Sequence, residues 1–168
     1  IMNLDEFNSD PIAFLKESFH QAVKAADPTE IVTSYLPNPP KGKILVVGAG
    51  KAAASMASAV EKEWGDKTKL EGLVITRYAH GLPLKKIRCI EAGHPVPDLA
   101  GEEAAQQIYQ SVEKLTANDL LLVLISGGGS SLLSLPVDGV SNDDLKDITK
   151  KLLSSGAPIT DINIVRKH

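Results

Sequence analysis

Residues 44–59 read ILVVGAGKAAASMASA. Aliphatic side chains run without a break into Gly48, and beyond Lys51 nearly every residue is small: Ala52, Ala53, Ala54, Ser55, Ala57, Ser58 and Ala59. Such a pattern predicts a buried strand, a glycine turn and a helix able to pack closely on a sheet. Met56, Val60 and Trp64, spaced i, i+4, i+8, supply the bulkier stripe of that helix.

Outward from this segment the chain alternates. Upstream, SDPIAFLKESFHQAVKAADP predicts a helix capped by Ser9 or Asp10, with Pro11 in its first turn and Ile12, Leu15, Phe19 and Val23 on one face. PTEIVTSYL predicts a second, short helix, closed by the proline-rich PNPPKG. Four β-rich runs follow: KILVVG, GLVIT, KIRCIEA and DLLLVLISG. The first and last are almost wholly apolar, as strands buried on both faces of a parallel sheet are. Helical stretches are expected over 51–64 and 101–115 and after Ser141, whose hydroxyl and acidic neighbours suit a cap, with Gly156 as a stop. Thr160 or Asp161 could cap one more helix. The expected fold class is α/β, a three-layer, open, mostly parallel sheet with helices on both faces.

Composition narrows the function classes. The chain has 168 residues and a formal net charge of −3, with 43% hydrophobic residues. That suits one domain with a full core, or a piece of a larger protein, and gives no nucleic-acid footprint. Cys89 is the only cysteine, so internal disulfides and cysteine-based zinc sites are excluded. No apolar run approaches the ~20 residues needed to span a bilayer. The start, IMNLDEFNSD, lacks the basic and apolar regions of a signal peptide, so the expected location is the cytoplasm. His20, His80 and His168 have no partner motif and are read as incidental.

Two expected strands end in glycine loops: Gly48-Ala49-Gly50-Lys51, and Ser126-Gly127-Gly128-Gly129-Ser130-Ser131. Glycine permits positive φ and lets backbone N–H groups approach an anion, and a helix N-terminus adds partial positive charge. In open α/β sheets ligands bind beyond the carboxyl ends of the strands. Lys51 stands at the start of a helix, where the dipole disfavours a cation, and is best understood with an anion nearby. GAGKAA fits G-x-G-x-x-G/A, but the next strand ends VITRYAHG, with Arg77 where a ribose-binding acid is expected. Arg77 would suit a 2′-phosphate instead. The Walker pattern is absent, since Gly50-Lys51 precedes Ala52. A sugar-phosphate isomerase-type loop is a third reading. In GHPVPD, His94 could shuttle a proton or bond backbone, and Asp98 could sit beside a metal or cap the next helix.

VVGAGKAAASMA, EAGHPVPD, DLLLVLISGGGSSLL and NIVRKH occur in this order. With these four segments the chain resembles the N-terminal part of glycerate 2-kinases of the MOFRL-containing type, a family also labelled hydroxypyruvate reductase. The resemblance implies a Rossmann-like domain, spanning 1–168, of a larger two-domain kinase whose smaller C-terminal domain completes the active-site cleft, so the chain is expected to be truncated and inactive alone. It implies transfer of the γ-phosphoryl of ATP to the 2-hydroxyl of D-glycerate, giving 2-phosphoglycerate, with Mg²⁺. The family's essential lysine falls on Lys51, its SGGGSS segment on Ser126, Gly127, Gly128, Gly129, Ser130 and Ser131, and its N-x-x-R-K segment on Asn163, Arg166 and Lys167. Gly48, Gly50 and His94 complete the expected substrate- and nucleotide-binding set, with no metal ligand assigned. Expected partners are the small-molecule substrate, the protein's own C-terminal domain and a second copy in a homodimer, with no membrane or nucleic acid. The alternatives are an NADP-dependent hydroxypyruvate reductase and a non-catalytic sugar-phosphate-binding module.

Overall fold

The computed structural model describes residues 8–167; Ile1, Met2 and the rest of the amino-terminal stretch through residue 7, and His168, lie outside the described residues. Helix α1 (Pro11–Ala25) starts where the side chain of Asp10 accepts the Ala13 amide, so Asp10 is the cap. Its stripe of Ile12, Leu15, Phe19 and Val23 is exposed within this chain. The short α2 (Pro28–Ile31) and a 3₁₀ turn (Val32–Tyr35) lead into strand β1 (Ile44–Ala49). Then follow α3 (Ala53–Trp64), β2 (Leu70–Arg77), β3 (Ile87–Ala92), α4 (Leu99–Val112), β4 (Leu120–Ile125), the one-turn α5 (Gly129–Leu132), α6 (Asn142–Ser154) and α7 (Ile159–Lys167).

All four strands run parallel, in the order β3-β2-β1-β4. The sheet is therefore the expected open parallel one, and β1, flanked on both edges, is buried at every residue. Its side chains alternate between two cores. Ile44 and Val46 pack with Val74, Leu124 and the α3 residues Ala57, Val60 and Trp64. Leu45, Val47 and Ala49 pack with Leu73, Ile75, Leu132 and the α4 residues Ala104 and Ile108. The small residues of α3 are what let its axis come close to the sheet.

Three expectations change. Helix α3 begins at Ala53 rather than Lys51, because Gly50 and Lys51 are spent on the turn. Helix α7 begins at Ile159, with the Pro158 carbonyl accepting from Asp161 and Ile162, so neither Thr160 nor Asp161 is its cap. Strand β4 is buried on one face only: Leu120, Leu122 and Leu124 meet the α3 layer, whereas Leu121, Val123 and Ile125 are 37%, 51% and 56% exposed. An apolar run alone does not say whether a neighbouring layer reaches both faces, and α4 covers β1, β2 and β3 without extending over β4.

Capping elsewhere follows the sequence. Ser141 and Asp144 form a reciprocal capping box at α6, and Gly156, at φ 72°, lies just beyond its C-cap Ser155. One device was not foreseen. The Glu61 carboxylate, projecting from α3, accepts the backbone N–H groups of Lys85, Lys86 and Ile87 and so fixes the entry of β3. Burial alone would raise its pKa, but these donors hold it below the usual glutamate value.

The asymmetry of β4 gives a testable contrast. Ile44→Ala, at a fully buried position of β1, is expected to lower unfolding free energy by about 2–5 kcal/mol. Val123→Ala, on the exposed face of β4, should stay within about 0.5 kcal/mol. Urea unfolding of the two variants measures both; equal losses would contradict the one-sided burial of β4.

Candidate active site

The strand order reverses at β1, which has β2 on one side and β4 on the other. In-register pairing sets Ala49 opposite both Ile75 and Ile125, so β1 and β4 end at one level while β2 continues to Arg77. Both glycine loops emerge there and are bonded to each other. The Gly50 amide donates to the Ile75 carbonyl at 3.0 Å, Lys51 N–H to the Gly127 carbonyl at 2.9 Å, and Ser126 N–H to the Ala49 carbonyl at 3.1 Å. Ala52 N–H donates to Ser126 Oγ at 3.0 Å. Gly50 has φ 137°, and a Cβ there would collide with the Ser126 side chain. At Gly48 it would collide with the Leu124 carbonyl. Glycine at both positions is therefore a requirement of strand approach.

In the second loop Gly128, at φ 91°, is the N-cap of α5, and Gly129 N–H donates to the Ser126 carbonyl at 3.2 Å. A Cβ on Gly127 would meet nothing within 4 Å, so its backbone lies beside open space. Ser131 is buried, while Ser130 is exposed. Helix α3, whose N-cap Ala52 offers no side-chain acceptor, starts beside the same loops. Lys51 is exposed and makes no ion pair among the described residues.

His94, from the loop after β3, joins this assembly. Its Nδ1 lies 2.7 Å from Ser131 Oγ, and Ser131 Oγ donates to the Gly128 carbonyl at 3.1 Å. Burial pushes the His94 pKa below the ordinary value, and the charges of Lys51, Arg77 and Arg166 push it the same way. Asp98 is the N-cap of α4, accepting from Gly101 N–H at 3.1 Å and from the Tyr78 hydroxyl at 2.7 Å. Desolvation would raise its pKa, but the Gly93 amide, Tyr78 and the Gly101 amide outweigh it and hold the carboxyl below the usual aspartate value. Of the two roles read from sequence, the structure gives Asp98 the capping one.

Helix α7 brings one residue to the loops. Arg166 donates through Nη2 to the Ser130 carbonyl at 2.8 Å and through Nη1 to Ser130 Oγ at 3.3 Å, while its buried Nε has no partner. Burial lowers its pKa. Lys167 lines, with Ser130, Leu133, Ile148 and Val165, a cavity of about 400 Å³. Asn163 is exposed on α7, and no hydrogen bond ties it to the glycine loops. Tyr78 was missed in the sequence, as was the hydrogen bond from Arg77 Nε to the His80 ring. No grouping of three or more His, Cys, Asp or Glu side chains able to hold a metal ion occurs among the described residues.

Gly127 and Gly128 are neighbours with opposite constraints. Gly128→Ala would force a left-handed alanine whose Cβ lies 3.0 Å from His94 Nε2, and should lose about 1–2 kcal/mol from backbone strain alone. Gly127→Ala should be near neutral. Thermal unfolding of both variants checks this ordering.

Comparison with known proteins agrees with the motifs. An Agrobacterium vitis protein that carries a hydroxypyruvate reductase name is 47% identical over 154 residues, 92% of this chain and 35% of that protein. Glycerate 2-kinase from Pyrococcus horikoshii is 42% identical over 161 residues, 88% of this chain and 36% of the kinase. The crystal structure of a glycerate kinase from Thermotoga maritima superposes with a TM-score of 0.77 at 40% identity, covering 89% of this chain and 36% of that one. The chain thus spans about a third of the length of the curated relatives it matches. Residues 14–168 match the family described as Domain of unknown function (DUF4147), and the chain, with its parallel sheet and paired glycine loops, belongs to that family.

Proposed function

We propose that this chain is the N-terminal, Rossmann-like domain of a larger two-domain kinase that transfers the γ-phosphoryl of ATP to the 2-hydroxyl of D-glycerate, giving 2-phosphoglycerate. The observation that carries the reading is the mutual bonding of two glycine loops at the β1 reversal point beside the unpaired Lys51. The relatives named glycerate 2-kinase support the choice of reaction.

Phosphoryl transfer needs positioning and neutralisation of charge more than covalent help from the protein. Lys51, at the mouth of both loops, would stabilise negative charge on the moving group or hold the glycerate carboxylate. The amides of Gly127 and Gly128 and the hydroxyls of Ser126 and Ser130 would bind phosphate or carboxylate oxygens, with Gly48, Gly50 and Gly129 shaping the cradle and Ser131, whose buried hydroxyl is committed to the Gly128 carbonyl and to His94, standing behind it. Arg166 presents a buried Nε donor that lacks an acceptor, which fits an anionic ligand. Asn163 and Lys167 would act at the rim. For Mg²⁺ the fit differs, since no carboxylate cluster for it exists among the described residues. Its ligands are assigned to the nucleotide phosphates and the remainder of the longer protein.

A second reading, an NADP-dependent hydroxypyruvate reductase, is favoured by the reductase name of two Agrobacterium vitis relatives and by Arg77 at the end of β2. Against it, Arg77 Nε is engaged by His80 and the strand end offers no ribose-binding acid. No described helix is long and apolar enough to cross a membrane. We place the protein in the cytoplasm, working with its own C-terminal domain and as a homodimer.

The longer protein, given D-glycerate, ATP and Mg²⁺, should release ADP. Given hydroxypyruvate and NADPH, it should leave the NADPH absorbance unchanged; the reverse pattern would establish the reductase. In that protein Lys51→Ala should lower turnover by ~10²–10³ with an unchanged circular dichroism spectrum, and near-wild-type turnover would refute the role of Lys51.

A further inference from the structure

We propose that His94 Nε2 is the base that takes the acceptor's hydroxyl proton, and that Ser131 is the residue that fixes the required tautomer. The inference rests on the kinase reading and specifies which side chain handles the proton.

The assignment follows from counting donors and acceptors. Ser131 is 3% exposed, so its hydroxyl oxygen is cut off from solvent. A hydroxyl has one proton. If that proton goes to the Gly128 carbonyl at 3.1 Å, the oxygen is free to accept from His94 Nδ1–H at 2.7 Å, and every group is used. If it went to Nδ1 instead, the buried oxygen would have no donor. The first arrangement puts the imidazole proton on Nδ1 and leaves Nε2 as an acceptor. No hydrogen bond among the described residues engages Nε2. The Nε2 end of the ring abuts Gly128, where an added Cβ would lie 3.0 Å from it, so this nitrogen sits at the glycine loop itself.

Electrostatics keep that nitrogen available. The groups facing His94 are Lys51 from the β1–α3 turn, Arg77 from the end of β2 and Arg166 from α7, all cationic. The two acids nearest in sequence are engaged elsewhere: Glu91 accepts the Gly81 amide at 2.8 Å, and Asp98 is bound to Gly93, Gly101 and Tyr78. Burial first, and these three charges with it, disfavour the imidazolium, so the neutral ring persists to lower pH than an ordinary histidine. The acceptor hydroxyl proton passes to Nε2 while its oxygen bonds the transferred phosphorus, and the bond from that phosphorus to the nucleoside diphosphate breaks, with the diphosphate keeping the electron pair. The imidazolium then returns its proton to solvent.

Two measurements test this. In the full chain labelled with ¹⁵N at histidine, long-range proton–nitrogen correlation spectra should show His94 as the Nδ1–H tautomer, with a midpoint below the ordinary value of ~6.5; Ser131→Ala should convert it to a tautomer mixture. An Nε2–H tautomer, or a midpoint above that value, would overturn the proposal whatever the substrate. In the longer protein, His94→Asn preserves a donor towards Ser131 and lacks Nε2. It should lower kcat by ~10²–10⁴ with KM for glycerate changed less than about threefold and the acid limb of the pH profile lost, while Ser131→Ala should give a smaller fall that moves with pH. Wild-type turnover in His94→Asn would sink this assignment alone, whereas no ADP from the wild-type protein would sink the kinase reading and the assignment together.

Discussion

The site depends on two contacts between loops far apart in sequence: Lys51 N–H to the Gly127 carbonyl, and Ala52 N–H to the Ser126 hydroxyl. They exist because β1 and β4 pair in register and stop together, at Ala49 and Ile125. Two chains leaving adjacent parallel strands at the same height must turn in the same small volume. Side chains there would collide, as they would at Gly50 with Ser126 and at Gly48 with Leu124. Glycine is thus imposed first by packing. The chemical consequence is that backbone amides, rather than side chains, line the surface where the sheet meets its ligand.

Much of this was legible in the sequence, and for local reasons. β-rich runs marked each strand, nearly all aliphatic in β1 and β4, and glycine loops fell at the ends of those two, so fold class and loop placement followed from period and composition. Lys51 was legible because it stands where a helix dipole disfavours it. What stayed hidden was long-range. The His94–Ser131 pair spans 37 residues and the Arg166–Ser130 pair 36, and no local pattern couples them. The Tyr78 hydroxyl on Asp98 was hidden for the same reason. The face of β4 was misread because apolar character reports what a strand can bury, whereas burial depends on which layer arrives.

His94 and Asp98, four residues apart in one loop, show how environment divides roles between polar side chains. Asp98 receives three donors and is held as a carboxylate with its oxygens committed to the loop and the first turn of α4. His94 receives one partner, on one nitrogen. The first is thereby structural, anchoring the segment; the second is oriented yet retains an unused atom. Commitment of Asp98 is what allows His94 to be held without an acid at its side, since a carboxylate free to approach the ring would favour the imidazolium.

The charge layout ties these elements to function. The chain as a whole is slightly acidic, yet its glycine-loop edge gathers Lys51, Arg77 and Arg166 around His94. The ion pairs among the described residues, Lys43–Glu71, Lys67–Glu63 and Lys146–Asp143, involve other cations. Arg77 instead meets the His80 ring and Arg166 meets Ser130, neither of them an acid. Like charges gathered without counter-charge oppose folding, and the N-terminus of α3 adds to the same positive field. Such an edge is disfavoured as a purely structural arrangement, because a single acid at any of these positions would relieve it. It is well arranged for a ligand bearing several negative charges, whose binding supplies that counter-charge and is thereby linked to the stability of the fold.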